Sequence, residues 1–157
     1  MAYKLPFSVL VVIHTAELEV LLIERADRPG FWQSVTGSLH DGESCRETAV
    51  REVGEETGID AACYPLQDWR VQNRFEIFRR WGSRFAPGTT HNVERVFGLT
   101  LLERVPVVLA PREHLRYQWL PWDEAARVVF SWTNADALRL LPIIAREARA
   151  VIAGRGS

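Results

Sequence analysis

Residues 37–59, GSLHDGESCRETAVREVGEETGI, place Glu52, Glu55 and Glu56 within five positions, in a chain whose net charge is only −1. The segment reads as a helix with both ends marked. Ser44-x-x-Glu47 is a capping box, in which hydroxyl and carboxylate satisfy amides exposed at a helix start. Gly58 supplies the left-handed residue that closes many helices. Between them, at about 100° per residue, Cys45, Ala49, Val50 and Val53 gather on one side as a core-facing stripe. Measured from the middle of that stripe, Glu56 lies about 45° away, Glu52 about 85° and Glu55 about 145°. Two carboxylates therefore border the buried face one turn apart, and the third projects outward. Like charges at this spacing repel by roughly 0.2–0.5 kcal/mol per pair, so a compensating cation is expected.

Oxygen donors in this pattern suit a hard divalent ion. Magnesium sits about 2.0–2.1 Å from carboxylate oxygens, keeps several waters and takes substrate phosphates. Glu52 and Glu56 can share one ion, while Glu55 can hold a second or orient water. Arg51 is not a ligand, and Glu43 and Glu47 are anionic groups able to fix the loop against the helix. The competing reading is an ordinary solvated charged face.

The rest of the chain sets the context. At 157 residues it fits one domain, residues 1–153, with GRGS at 154–157 expected to fray. An apolar fraction of 47% and a charged fraction of 25% are those of a soluble globular protein. The near-zero net charge advertises no nucleic-acid partner. Cys45 and Cys63 form neither a disulfide framework nor a metal spacing, which suits a reducing cytoplasm. The apolar run near the N-terminus is too short to span a bilayer and is interrupted by Pro6, so no membrane association is expected.

Phe7–His14 and Glu19–Arg25 read as buried strands, and WQSVTG (32–37) as a short extended piece. Arg74–Trp81 and Arg95–Glu103 read as strands around a loop, followed by a short strand at Arg116–Leu120. A helix begins near Pro121, and the last segment is helical with Pro142 expected to kink or divide it. Interleaved strands and helices imply a mixed sheet with helices packed on it.

The acidic helix also fits G-x5-E-x7-R-E-U-x-E-E-x-G-U, with U a bulky aliphatic. Gly37, Glu43, Arg51, Glu52, Val53, Glu55, Glu56, Gly58 and Ile59 occupy every specified position. The segment resembles the Nudix box, the signature of hydrolases acting on nucleoside diphosphates linked to another moiety. That resemblance implies an α/β fold, an α/β/α sandwich around a mixed β-sheet. It implies Mg2+, with Mn2+ as a substitute, held mainly by Glu52 and Glu56 with Glu55 in support. Gly37, Glu43, Arg51 and Gly58 take structural roles in the box. The implied reaction is attack by water on a diphosphate bridge, with no covalent enzyme intermediate.

FWQSVTGS (31–38), FEIF (75–78), RFAPGTTHN (84–92), EHLRYQWL (113–120) and SWTN (131–134) resemble one bacterial branch of that family. Its members remove pyrophosphate from dihydroneopterin triphosphate in folate synthesis. The likeness implies that Glu113 is a further metal ligand, and that Glu113 or Glu55 is the general base beside Glu56. Lys4, Arg25 and Thr36 match positions near substrate, as does Ser131. Phe75, Glu76, Ile77 and Phe78 match a segment lining the pterin pocket, with Glu76 able to read the ring edge. His91 and His114 stay unassigned. Two alternatives remain open: a (d)NTP pyrophosphatase of nucleotide-pool house-cleaning, and a non-catalytic nucleotide-binding module. Oligomeric state is not legible.

Overall fold

A computed structural model of the protein describes residues 2–155. The strands are β1 (Phe7–Thr15), β2 (Glu19–Arg25), β3 (Trp32–Gln33), β4 (Val35–Ser38), β5 (Leu66–Glu76), β6 (His91–Leu101) and β7 (His114–Pro121). The helices are α1 (Cys45–Thr57), α2 (Trp122–Val128) and α3 (Trp132–Arg155). The sheet runs β3-β2-β1-β6-β5, with β4 also paired to β1 and β7 to β2. The β1–β6 pair is parallel and the other pairs are antiparallel, so the sheet is mixed.

β1 is buried on both faces, which explains its nearly continuous run of branched apolar residues. Successive side chains point to opposite sides. Val9, Val11 and Ile13 join Ala49, Val53 and Ile59 in a core beneath α1. Leu10 and Val12 join Ala125, Ala137, Leu138 and Leu141 beneath α2 and α3. The result is an α/β/α sandwich around a mixed sheet, as expected from the sequence.

Three expectations from the sequence need correction or qualification. The strand read at Arg74–Trp81 is β5, which runs from Leu66 to Glu76, and Arg79–Arg84 forms a 3-10 turn instead. β5 lies at the sheet edge and alternates half-buried with exposed residues, so no apolar run marks it. Pro142 sits inside one continuous helix and does not divide it. Its missing N–H costs one intrahelical bond, but Leu138 and Leu141 before it and Ile144 after it pack on the same core, so burial holds both halves in one helix. Of the short tail, Gly154 and Arg155 continue α3, while residues 156–157 lie outside the described residues. No described helix is long and apolar enough to cross a membrane.

Candidate active site

Helix α1 is pinned at both ends as its sequence demands. The Glu47 amide donates to Ser44 Oγ at 3.1 Å, and the Ser44 amide donates back to Glu47 Oε1 at 3.2 Å. Gly58 closes the helix at φ 73° and donates its N–H to the Gly54 carbonyl. Ala49 and Val53 are fully buried, with Cys45 and Val50 packed against the same core. Glu56 turns inward and is only 5% exposed. The Glu55 side chain is 56% exposed, in keeping with its outward position on the helix.

Arg51 organises the loop before the helix. Its Nε and Nη2 donate to the two oxygens of Glu43 at 2.8 and 2.9 Å, and Nη2 also reaches the Ser38 carbonyl at 3.0 Å. Nη1 donates to Glu52 at 2.8 Å and to Glu55 at 3.3 Å. The guanidinium holds the Glu43 carboxyl well below the usual carboxylate range. Glu47 serves the cap rather than Arg51. At Gly37 a side chain would overlap the Glu52 carboxylate, so this glycine leaves the space that carboxylate occupies.

The structure brings Glu113, the residue before β7, to Glu56, and with it His114. Ligand atoms of Glu56, Glu113 and His114 all lie within 4.8 Å of one another. Burial, then Glu52 and Glu113, raise the Glu56 carboxyl well above its ordinary value, against a hydrogen bond from the Thr36 amide. Burial also raises Glu52, against its bond from Arg51. His114 is lowered to about 4 by burial and then by Arg25. Glu56 Oε2 and His114 Nδ1 are buried with no hydrogen-bond partner. Crowded carboxylates, a neutral imidazole and two unpartnered inward-facing atoms form a donor set that fits a divalent cation. Glu52 and Glu55 stand beside this trio rather than within it.

These groups line one end of a cavity of about 1130 Å³. Lys4, Arg25 and Arg84 bring positive charge to its wall. Arg25 is already clamped: both oxygens of Asp27 accept from it at 2.7 Å, Gln33 accepts at 3.0 Å, and its guanidinium lies 4.5 Å over the Trp81 ring. Arg84 reaches the same Asp27 at 3.3 Å, and the two arginines hold that carboxyl at about 2. The Lys4 amide donates to the Arg84 carbonyl at 2.9 Å, tying the N-terminal segment to the 3-10 turn. Desolvation and Arg84 lower the Lys4 ammonium from its ordinary value.

The other expected residues also reach the cavity wall, several with local structural work. Thr36 donates its hydroxyl to the Val9 carbonyl at 2.9 Å. Ser131 accepts from the Asn134 amide at 3.2 Å, in the manner of a helix cap for α3. Phe75 and Ile77 are half-buried, while Glu76 and Phe78 are exposed. The sequence reading missed the Arg25–Asp27–Arg84 clamp and left His114 without a role. No metal spacing marked that histidine; the signal lay in its adjacency to Glu113 once β7 is set opposite Arg25.

The family model described as the NUDIX domain matches residues 4–141. The chain is 43% identical over 139 residues to the dihydroneopterin triphosphate diphosphatase of Escherichia coli (strain K12), covering 87% of this chain and 91% of that protein. It is 37% identical over 142 residues to the Haemophilus influenzae protein of the same description, covering 88% and 89%. The solved structure of the E. coli dihydroneopterin triphosphate pyrophosphohydrolase superposes with a TM-score of 0.83 at 42% identity, covering 88% of this chain and 95% of that one.

Proposed function

The chain belongs to the Nudix hydrolase family, and within it we propose that it converts dihydroneopterin triphosphate and water to dihydroneopterin monophosphate and pyrophosphate. Family membership carries the coarser statement, Nudix-type hydrolysis of a phosphoanhydride. The pterin substrate is supported by likeness to the two bacterial diphosphatases along nearly the whole chain. The single observation that carries the chemistry is the meeting of Glu56, Glu113 and His114 at one end of a cavity that also presents Lys4, Arg25 and Arg84.

Glu56, Glu113 and His114 would hold the divalent ion, magnesium by preference and manganese in its place, with Glu52 adjacent. When bound, such an ion neutralises phosphate charge and lowers the pKa of water. Lys4, Arg25 and Arg84 bind phosphate oxygens, for which guanidinium forks and an ammonium are suited. The Asp27 clamp fixes the two arginines before substrate arrives, so little ordering remains to be done on binding. Arg51 keeps Glu52 directed at the site. Glu113 and Glu55, both exposed at the cavity edge, are the two groups placed to accept the proton of the attacking water. One P–O bond forms to water oxygen, the bridging P–O bond breaks, and pyrophosphate leaves. We place this reaction in the cytoplasm, in folate synthesis.

The test is pyrophosphate release with magnesium from dihydroneopterin triphosphate beside dATP and 8-oxo-dGTP. The pterin should have the highest kcat/KM; a nucleotide that outruns it would move the protein to nucleotide-pool cleaning.

A further inference from the structure

Among the described residues, four side-chain atoms are buried without a hydrogen-bond partner: Glu56 Oε2, His114 Nδ1, Asn92 Oδ1 and Glu94 Oε1. All four residues line the same cavity. The first two belong to the cation site. The second two have no part in it and need another explanation, because an unpartnered buried acceptor costs free energy that native proteins rarely leave uncompensated.

Asn92 and Glu94 are two apart on β6, so their side chains leave the same face of the strand. They are 4% and 5% exposed. Across the parallel pair Ser8 stands opposite Glu94, and Asn92 donates through Nδ2 to Ser8 Oγ at 2.7 Å. That bond uses one N–H of the Asn92 amide and orients the group, leaving the carbonyl oxygen as an acceptor. Glu94 has only Thr133 favouring its charged form, and burial moves its carboxyl up to about 7. The nearby Asn134 is different: its oxygen accepts from the Ser34 amide at 2.8 Å and its nitrogen donates to Ser34 Oγ at 3.0 Å. The fold gives both polar atoms of that buried amide a partner and leaves Asn92 and Glu94 with acceptors to spare.

The same cavity carries flat apolar surface. Phe78, Trp81 and Phe130 line it as a cluster with ring centroids 5.2 to 6.1 Å apart, and Phe31, outside the lining, stacks on Phe130 at 4.7 Å. Aromatic faces and buried acceptors lining one cavity suit a planar ring that presents donors along one edge.

We propose that Glu94, supported by Asn92, is the specificity-determining pair that reads a ring N–H and an adjacent exocyclic NH2, the 2-amino-4-oxopyrimidine edge shared by pterins and guanine. This rests on the reading of the cavity as a heterocyclic triphosphate site, and it moves the edge-reading role from exposed Glu76 to buried Glu94. Adenine and cytosine put a lone pair where that edge has its ring N–H, so they turn an acceptor toward a carboxylate. Hypoxanthine keeps the ring N–H and lacks the amino group, leaving one acceptor empty.

The test measures equilibrium binding by calorimetry in EDTA, using α,β-methylene GTP and α,β-methylene ITP, which differ only in the 2-amino group. Wild type should bind the guanine analogue at least about 10-fold tighter, since a site built to accept a donor rejects the analogue lacking it. In Glu94→Gln the ratio should fall below about 3-fold, because the new amide offers one acceptor and one donor. A wild-type ratio near one, which requires no variant to fold, overturns the assignment, and so does an unchanged ratio in a folded E94Q. Neither ligand is hydrolysed in this assay. A preserved preference with no pyrophosphate release from any triphosphate would therefore sink the hydrolase reading alone.

Discussion

The two ends of the cavity both bury carboxylates, and they handle the charge differently. At the α1 end Glu52 and Glu56 sit in a crowd with Glu113, Arg51 and Arg25, so each charge is set by several elements. At the β6 end Glu94 stands almost alone, with Thr133 as its one favourable neighbour. A crowd of acids with too few cations invites a metal; a buried acid with no cation beside it and an unpartnered oxygen invites a hydrogen-bond donor. On the proposed reading, one cavity separates the task of gripping phosphates from that of recognising a ring.

Variants at each end should break this contrast in different ways. The largest effect is expected from Glu56→Gln, which keeps shape and removes a ligand charge. Steady-state kinetics should show kcat lower by on the order of 10²–10³-fold, with a melting temperature no lower than wild type. Retained activity would remove Glu56 from the cation site.

At the other end Glu94→Gln acts first on stability. The folded-state carboxyl titrates at about 7 rather than 4.5, so the unfolded chain ionises first as pH rises. Below 4.5 the residue contributes nothing, between 4.5 and about 7 it progressively destabilises the fold, and above 7 the loss is complete. Urea unfolding should therefore find E94Q equal to wild type near pH 4 and more stable by about 3 kcal/mol near pH 8. Parallel stability curves for the two proteins would contradict the isolated-carboxylate picture.

Arg51→Met should cost roughly 2 kcal/mol, because Glu43 and Glu52 lose a half-buried partner. Lysine should rescue little, since one ammonium cannot reproduce the fork to Glu43 together with the Ser38 carbonyl and Glu52. The smallest change is expected from Gly37→Ala. Its new methyl displaces the flexible Glu52 carboxylate rather than backbone, so the protein should fold normally while Mn2+ affinity drops by about 10-fold.

The same contrast explains what could be read from the sequence. The α1 end was legible because its information is local: a capping box, a closing glycine and three glutamates at fixed angular positions on one helix. Glu113 was legible only through family resemblance, since nothing local distinguishes it from a loop charge. His114 needed the pairing of β7 with β2, which sets it opposite Arg25. Asn92 and Glu94 needed the parallel β1–β6 pair and the start of α3, contacts spanning most of the chain. The strands of the two cores announced themselves through branched apolar runs. β5 did not, because an exposed edge strand alternates polar residues that a search for buried runs passes over. Pro142 misled for a related reason: the local penalty is real, and packing by Leu138 and Leu141 outweighs it.

The central claim is that Glu56, Glu113 and His114 form a divalent-cation site. Titrating the protein with Mn2+ and following the free-ion signal by electron paramagnetic resonance addresses it directly. Wild type should deplete that signal with a saturable site, and E56Q should weaken the binding by at least about 10-fold. A signal that wild type leaves untouched, or identical titrations for the two proteins, would contradict the account.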